Sequence, residues 1–360
     1  MKQLFQLVVF VLCCYGVATA QDGPYIVYSG DGRAQVIRFD ADLNIHSHTF
    51  QDRNSVVNLT VSTQEGGYEF LLRLHNIATP PVTYDMPQRI VVMSDPHGDF
   101  VPFVTTLQGS GVIDAQLDWS FGQDHLVVLG DVSDRGDDVT AIYWFIYKLE
   151  EQARQVGGVV HFLLGNHEVM IAQNDLRYIT SKYGTIAQKT GVGYGSLWSA
   201  QTELGRWIHA HNQIETIGDI LFVHAGVSPQ IAETNLHIGQ INDTVRKYIL
   251  LERNAVAQSP EAALVMGSTG TLWYRGLINR DENMNATVLN GILERFGVQK
   301  IIVGHTMLED VSEFFDGKVI NVNVNNKKNM ERGASRGILI GPDGIWAIDG
   351  SGNRLDFARP

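Results

Sequence analysis

The chain has 360 residues, 44% of them hydrophobic and 18% charged, with a formal net charge of -12. So acidic a body excludes nucleic acid and anionic membrane surfaces as natural partners, and the ordinary globular composition excludes heptad, solenoid and low-complexity architectures. Both cysteines, Cys13 and Cys14, sit near the amino terminus, which leaves the rest of the chain without disulfides, thiolate metal sites or a cysteine nucleophile.

The first twenty residues, MKQLFQLVVFVLCCYGVATA, carry one lysine, an apolar block from Leu4 to Tyr15 and the small residues Ala18-Thr19-Ala20. This pattern predicts a secretory signal peptide over 1–20, cleaved after Ala20, and a secreted or periplasmic product. The block is shorter than the ~20 residues of a spanning helix, so no membrane insertion is expected after cleavage. Residues 21–86 read as a β-rich amino-terminal module and linker. Short alternating runs (PYIVY, AQVIRF, SVVNLTV, YEFLLRL) are separated by turn chemistry, which predicts a small antiparallel sheet. The stretch HNIATPPVTYDMPQ then reads as a linker or a covering strap.

Residues 87–360 form the expected catalytic domain. Here short continuous valine- and isoleucine-rich runs alternate with helical segments, the pattern of buried strands in an α/β sheet. The clearest helix has Asp137 or Asp138 as its N-cap, carries Ala141, Ile142, Phe145, Ile146, Leu149 and Ala153 on one face, and stops at Gly157-Gly158. A helix-rich insertion is expected at about 168–216 and a further helix over Ala286 to Phe296. The tail RGILIGPDGIWAIDG predicts a hairpin belonging to a second sheet layer.

Five apolar runs end on a polar donor: RIVVMSD on Asp95, HLVVLGD on Asp131, VVHFLLGN on Asn166, DILFVH on His224 and KIIVGH on His305. The carboxyl ends of strands in an open α/β sheet converge on one crevice, where ligands bind. His97 lies two residues beyond Asp95, on the same side of an extended backbone. A lone aspartate or asparagine after a strand is usually a turn former, and a lone histidine usually structural; five such endings together point to a site. The set contains no sulfur and suits two divalent cations of the Mn, Fe or Zn kind, with Asp131 shared between them. His46/His48 and His209/His211, away from any strand end, read as structural.

Cations at Asp131 also account for the charge density of GDVSDRGDD, because they invert the local sign. Asp134 is then placed to accept a hydrogen bond from a histidine. Arg135 suits bidentate contact with phosphate oxygens, and Asp137 and Asp138 are left as helix caps. His167, next to Asn166, would pair with Asp134 as an imidazolium able to protonate a leaving group. Glu168 either orients that loop or simply begins a helix, and the structural role is expected.

The ordered motifs SDPHG, GDVSDRG, GNHE, HAG and VGH resemble the calcineurin-like metallophosphoesterases, and within them the phosphoprotein phosphatase branch. EEQARQVGGVVHFLLGNHE, DLRY, ELGRW and LWYRG narrow the resemblance to Shewanella-like phosphatases of the bacterial cold-active protein tyrosine phosphatase type. It runs from about Arg89 to about Asn321 and includes Asp22-Gly23-Pro24-Tyr25. The implied fold is a central β-sandwich flanked by helices. The implied activity is phosphomonoester hydrolysis by direct attack of a metal-bridging hydroxide on a phosphorylated protein or small phosphomonoester.

By that resemblance Asp95, His97 and Asp131 would hold one metal, and Asp131, Asn166, His224 and His305 the other. Arg135 and Arg275 would grip the phosphoryl oxygens with help from Asn166, and His167 with Asp134 would form the acid pair. For Arg275 a surface ion pair beside a buried Trp273-Tyr274 is the alternative. Alternatives for the whole chain are a dinucleoside polyphosphate hydrolase of the same fold and a catalytically inert, metal-stabilised binding protein. The sequence departs from the broad family at Ser94 and Pro96, lacks a second histidine after His305, and is rich in asparagine at INVNVNN.

Overall fold

The computed structural model describes residues 22–281 and 283–359; the leader expected at 1–20 lies outside them. Strands Ile90–Met93, His125–Val128 and Val159–Phe162 pair in parallel. They belong to a six-stranded sheet completed by the antiparallel strands Gly337–Gly341, Gly344–Ile348 and Arg354–Leu355. A second six-stranded sheet runs, in spatial order, Thr83–Tyr84, Ile214–Ile217, Ile220–Val223, Lys300–Val303, Val319–Asn321 and Ser312–Phe314.

The period-two alternation of a strand divides these side chains between two interiors. Ile90, Val92, Val127, Phe222 and Ile302 meet in one core between the sheets, whereas Val91, Met93, Val128, Leu221 and Ile301 join the larger core under the helices. Burial on both faces is why the runs are continuously apolar. The result is the expected β-sandwich flanked by helices. No helix among the described residues is long and apolar enough to cross a membrane.

The helix Val139–Val156 ends at Gly157, whose left-handed backbone (φ 83°) lets its N–H reach the carbonyls of the last turn. Ala286–Phe296 is helical as predicted. The segment expected to be helix-rich contains helices Asn166–Ala172, Ser181–Thr190 and Glu203–Ala210.

Two expectations are corrected. The carboxyl-terminal hairpin is present but does not begin a second layer; Gly337–Gly341 pairs with Ile90–Met93 and so widens the first sheet. The caps also differ. Asp138 occupies the expected N-cap position and its carbonyl accepts the Ile142 N–H at 3.0 Å, but its side chain does not cap the helix, because the carboxylate accepts the N–H groups of Gln64 and Glu65 at 2.5 and 3.0 Å. Asp137 likewise accepts from the Thr180 hydroxyl at 2.6 Å.

The amino-terminal module comprises a three-stranded antiparallel sheet (Asp22–Tyr28, Ala34–Phe39, Ile45–Phe50) and the hairpin Leu59–Ser62/Glu69–Leu72. Its inner face is continuous with the larger core: Phe70 packs on Phe100 and Phe145, and Tyr25 packs edge-on against Trp198. Fully buried Glu203 accepts from Arg53 and from the Tyr28 and Tyr147 hydroxyls, tying the module to the insertion. The proline-rich stretch is a strap, since Thr83–Tyr84 adds an edge strand beside Thr216 and Ile217.

Candidate active site

The carboxyl ends of five strands, three from one sheet and two from the other, deliver Asp95, Asp131, Asn166, His224 and His305 to one buried cluster, and His97 joins them. Contacts cross between the sheets. His224 Nδ1 lies 2.6 Å from the Leu129 carbonyl oxygen, and the His305 N–H donates to Asp95 at 3.1 Å. Glycines beside these residues are required by closeness: a Cβ on Gly165 would run into the Asp131 carboxylate, and one on Gly304 into Ser94 and Asp95.

Asp95, His97, Asp131, Asp134, Arg135 and His305 all have positive φ. Each is a non-glycine residue held in a sparsely populated region at a cost of about 1–3 kcal/mol, and such strain concentrates where a site needs side chains aimed inward.

Nε2 of His97 and of His224 lie 3.7 and 3.4 Å from Asp131 Oδ2, and the Asn166 side-chain oxygen is 3.0 Å from His224 Nε2. Two interlocking triplets, His97/Asp131/His167 and Asp131/His224/His305, have donor atoms close enough to share an ion. The donors fit divalent cations for three reasons. Nδ1 of His97 and His224 each face a backbone carbonyl (Ser133 at 2.7 Å and Leu129 at 2.6 Å), which fixes the tautomer that turns the Nε2 lone pair inward. His305 Nε2 is buried with no partner, an uncompensated polar atom in a close-packed interior. The set is nitrogen and oxygen only, which suits Mn, Fe or Zn.

Electrostatics divide the histidines: against burial, Asp131 raises His224 to about 9, a positive charge that a bound cation would replace. Burial lowers His97 to about 3 and His305 to about 2, keeping both imidazoles neutral and able to donate a lone pair. Burial also works against ionised Asp131, yet His224, His167 and His97 hold it well below the usual carboxylate range. Asp95 is pushed up, by burial first and by the Asp131 charge second. Two carboxylates this close, far from solvent, need cationic charge between them to ionise together.

At the edge of the cluster His167 Nδ1 pairs with Asp134 Oδ2 at 2.6 Å. Burial opposes its charged form, but Asp131 and Asp134 outweigh that and raise His167 above the ordinary histidine value. The shift favours the charged imidazolium of His167. Arg275 is half-buried, with Nη1 donating to the His305 carbonyl and the Thr306 hydroxyl, both at 3.1 Å. The guanidinium thus lies beside His305 and Thr306. Arg135 occupies the loop after Asp134, its N–H bonded to the Tyr178 carbonyl at 3.0 Å.

Several residues that organise the cluster were not assigned to it in the sequence. Glu168 is the hub of the Asp131 loop, accepting the N–H groups of Asp131, Val132, Ser133 and Gly165 and the Tyr143 hydroxyl. Asn323 donates to Asp95 at 2.9 Å, Asn321 to the Thr306 carbonyl at 3.0 Å and Asn326 to the Ser94 carbonyl at 3.2 Å. The asparagine-rich INVNVNN was the visible signal, because side-chain amides are uncommon in a buried apolar stretch unless their donors find acceptors. His46 and His48 lie on an exposed strand and His209 on a helix of the insertion, outside the cluster.

Residues 88–309 match the family described as calcineurin-like phosphoesterase. A crystal structure of the cold-active protein-tyrosine phosphatase of a psychrophilic Shewanella species aligns with a TM-score of 0.84 and 30% identity, over 94% of this chain and 99% of that one. Shewanella-like protein phosphatase 2 of Arabidopsis thaliana is 24% identical over 331 residues, which span 77% of this chain and 79% of the relative. Shewanella-like protein phosphatase 1 of Plasmodium berghei is 25% identical over 224 residues, 61% of each chain.

Proposed function

The chain belongs to the calcineurin-like phosphoesterase family, and from that premise we propose that it is a metal-dependent phosphomonoesterase acting as a protein phosphatase on phosphotyrosine. The observation that carries this reading is the His167–Asp134 ion pair set against the buried Asp/His/Asn cluster: an acid beside a place for cations.

Asp95, His97 and Asp131 would hold one divalent ion, and Asp131, Asn166, His224 and His305 a second. Bound there, the cations would supply Lewis acidity at the phosphoryl group and acidify the attacking water. The remaining work falls to the protein's own side chains. Arg135 and Arg275 bind the phosphoryl oxygens and oppose the charge that grows on them. His167 delivers its proton to the departing oxygen while Asp134 holds the ring in place. With Cys13 and Cys14 the only cysteines, and both in the expected leader, hydrolysis proceeds without a thiol-phosphate intermediate. The expected leader would direct this chemistry to the periplasm or the cell exterior.

The test is a phosphotyrosine peptide assay on chelator-stripped protein, repeated after Mn, Fe or Zn is restored. Activity is expected only with metal. Full turnover by thoroughly demetallated protein refutes the reading, and so does preferential cleavage of a dinucleoside tetraphosphate over the peptide.

A further inference from the structure

Two of the large side chains exposed at the surface, Tyr178 and Met307, adjoin the candidate active site, Tyr178 through His167 and Met307 through its chain neighbour Thr306. Tyr178 is 45% exposed, and its ring centroid lies 5.3 Å from that of His167. Its backbone carbonyl accepts the Arg135 N–H at 3.0 Å, and the Arg135 and Arg177 guanidinium carbons lie 6.0 and 5.5 Å from its ring. Backbone and side chain are thus both anchored beside the acid and the arginine. Met307 follows Thr306, whose hydroxyl accepts from Arg275.

We propose that the Tyr178 ring is the leaving-group platform of this site and selects aryl phosphates, phosphotyrosine above all, over alkyl phosphates. The inference rests on His167 being the acid of the phosphatase reading. An oxygen protonated by His167 must come within roughly 2.6–3.2 Å of the imidazole. The first carbon of the leaving group is bonded to that oxygen, so a phenyl ring there comes within reach of the Tyr178 ring, whose centroid lies 5.3 Å from that of His167. Aromatic rings attract at centroid separations of about 4.5–7 Å. A serine leaving group brings only a methylene to the same place, and Tyr178 discriminates little for or against it.

The experiment compares metal-loaded wild-type protein with Tyr178→Ala and Tyr178→Phe on a phosphotyrosine peptide and on the same peptide with phosphoserine. An aromatic pair is worth a factor of roughly 2 to 10 in affinity. Tyr178→Ala is therefore expected to lower the tyrosine-over-serine ratio of kcat/KM by that factor, mainly through KM for the aryl substrate. Tyr178→Phe keeps the ring and should keep the ratio. An unchanged ratio in Tyr178→Ala, or an equal fall for both peptides, overturns the proposal while leaving the phosphatase reading intact. Wild-type protein that hydrolyses neither peptide overturns the phosphatase reading and the inference with it.

Discussion

Replacing Glu168 by glutamine removes half of the acceptor capacity on which the Asp131 loop depends. One carboxylate oxygen accepts from Val132 N, Ser133 N and the Tyr143 hydroxyl at 3.0, 3.1 and 2.7 Å; the other accepts from Asp131 N and Gly165 N at 2.9 and 2.7 Å. Glu168 is 3% exposed, so no water replaces what is lost. Whichever way the new amide turns, its NH2 group faces at least two buried N–H donors. A buried donor left unpaired costs about 1–3 kcal/mol, which puts Glu168→Gln at about 2–6 kcal/mol. That is a large share of the roughly 5–15 kcal/mol that stabilises an ordinary domain. Tyr143→Phe is the graded control: it removes one donor to Glu168 and also the partner of the buried Ser133 hydroxyl, at about 1–3 kcal/mol. Urea unfolding followed by circular dichroism measures both. Because the same loop carries Asp134 and Arg135, the rate should also fall further than the unfolded fraction explains. A Glu168→Gln protein within about 1 kcal/mol of wild type would refute the assignment of Glu168 as the loop's anchor.

Other expectations use different parts of the molecule. His167→Ala should slow hydrolysis of an unactivated alkyl phosphate by roughly 10²-fold or more, the scale of a general acid, and slow p-nitrophenyl phosphate less, because its leaving group needs little protonation. Equal slowing of the two substrates counts against the acid role. The buried tyrosines Tyr25, Tyr143, Tyr183 and Tyr194 are raised well above the ordinary tyrosine value, chiefly by burial. Their contribution to stability is complete below about pH 10, where the unfolded chain is still protonated. Above it the unfolded state releases protons that the folded state keeps, so stability falls by about 1.4 kcal/mol per pH unit for each such group. Urea midpoints measured between pH 9 and 11.5 should show this decline, and a flat profile would contradict it.

Much of the site could be read along the chain because each strand is a short apolar run stopped by one polar residue. Asp95, Asp131, Asn166, His224 and His305 were legible for that reason, and His97 by its spacing from Asp95. Arg275 was different: LWYRG ends no strand, and only the hydrogen bonds to His305 and Thr306 bring its guanidinium to the cluster. Asp138 was legible as the N-cap position but not in its side-chain partners, since an aspartate before an apolar helical face normally caps it; here the Gln64 and Glu65 amides, some seventy residues away, take its carboxylate. The hairpin at 337–348 was visible locally, but its choice of sheet was not, because pairing with Ile90–Met93 is a contact between the two ends of the catalytic region.

Donor chemistry and the character of each strand are written in local patterns, since which atoms a residue offers and whether a run alternates or is continuous depend on covalent structure and near neighbours. Which donors meet, and what steadies them, depends on distances that exist only after two sheets have closed on one another. The Leu129 carbonyl fixes His224, Asn323 steadies Asp95, and Glu168 holds a loop thirty-odd residues earlier. Those partners are backbone amides, carbonyls and side-chain amides that every protein carries in abundance, so nothing in their identity marks them before the fold brings them within reach.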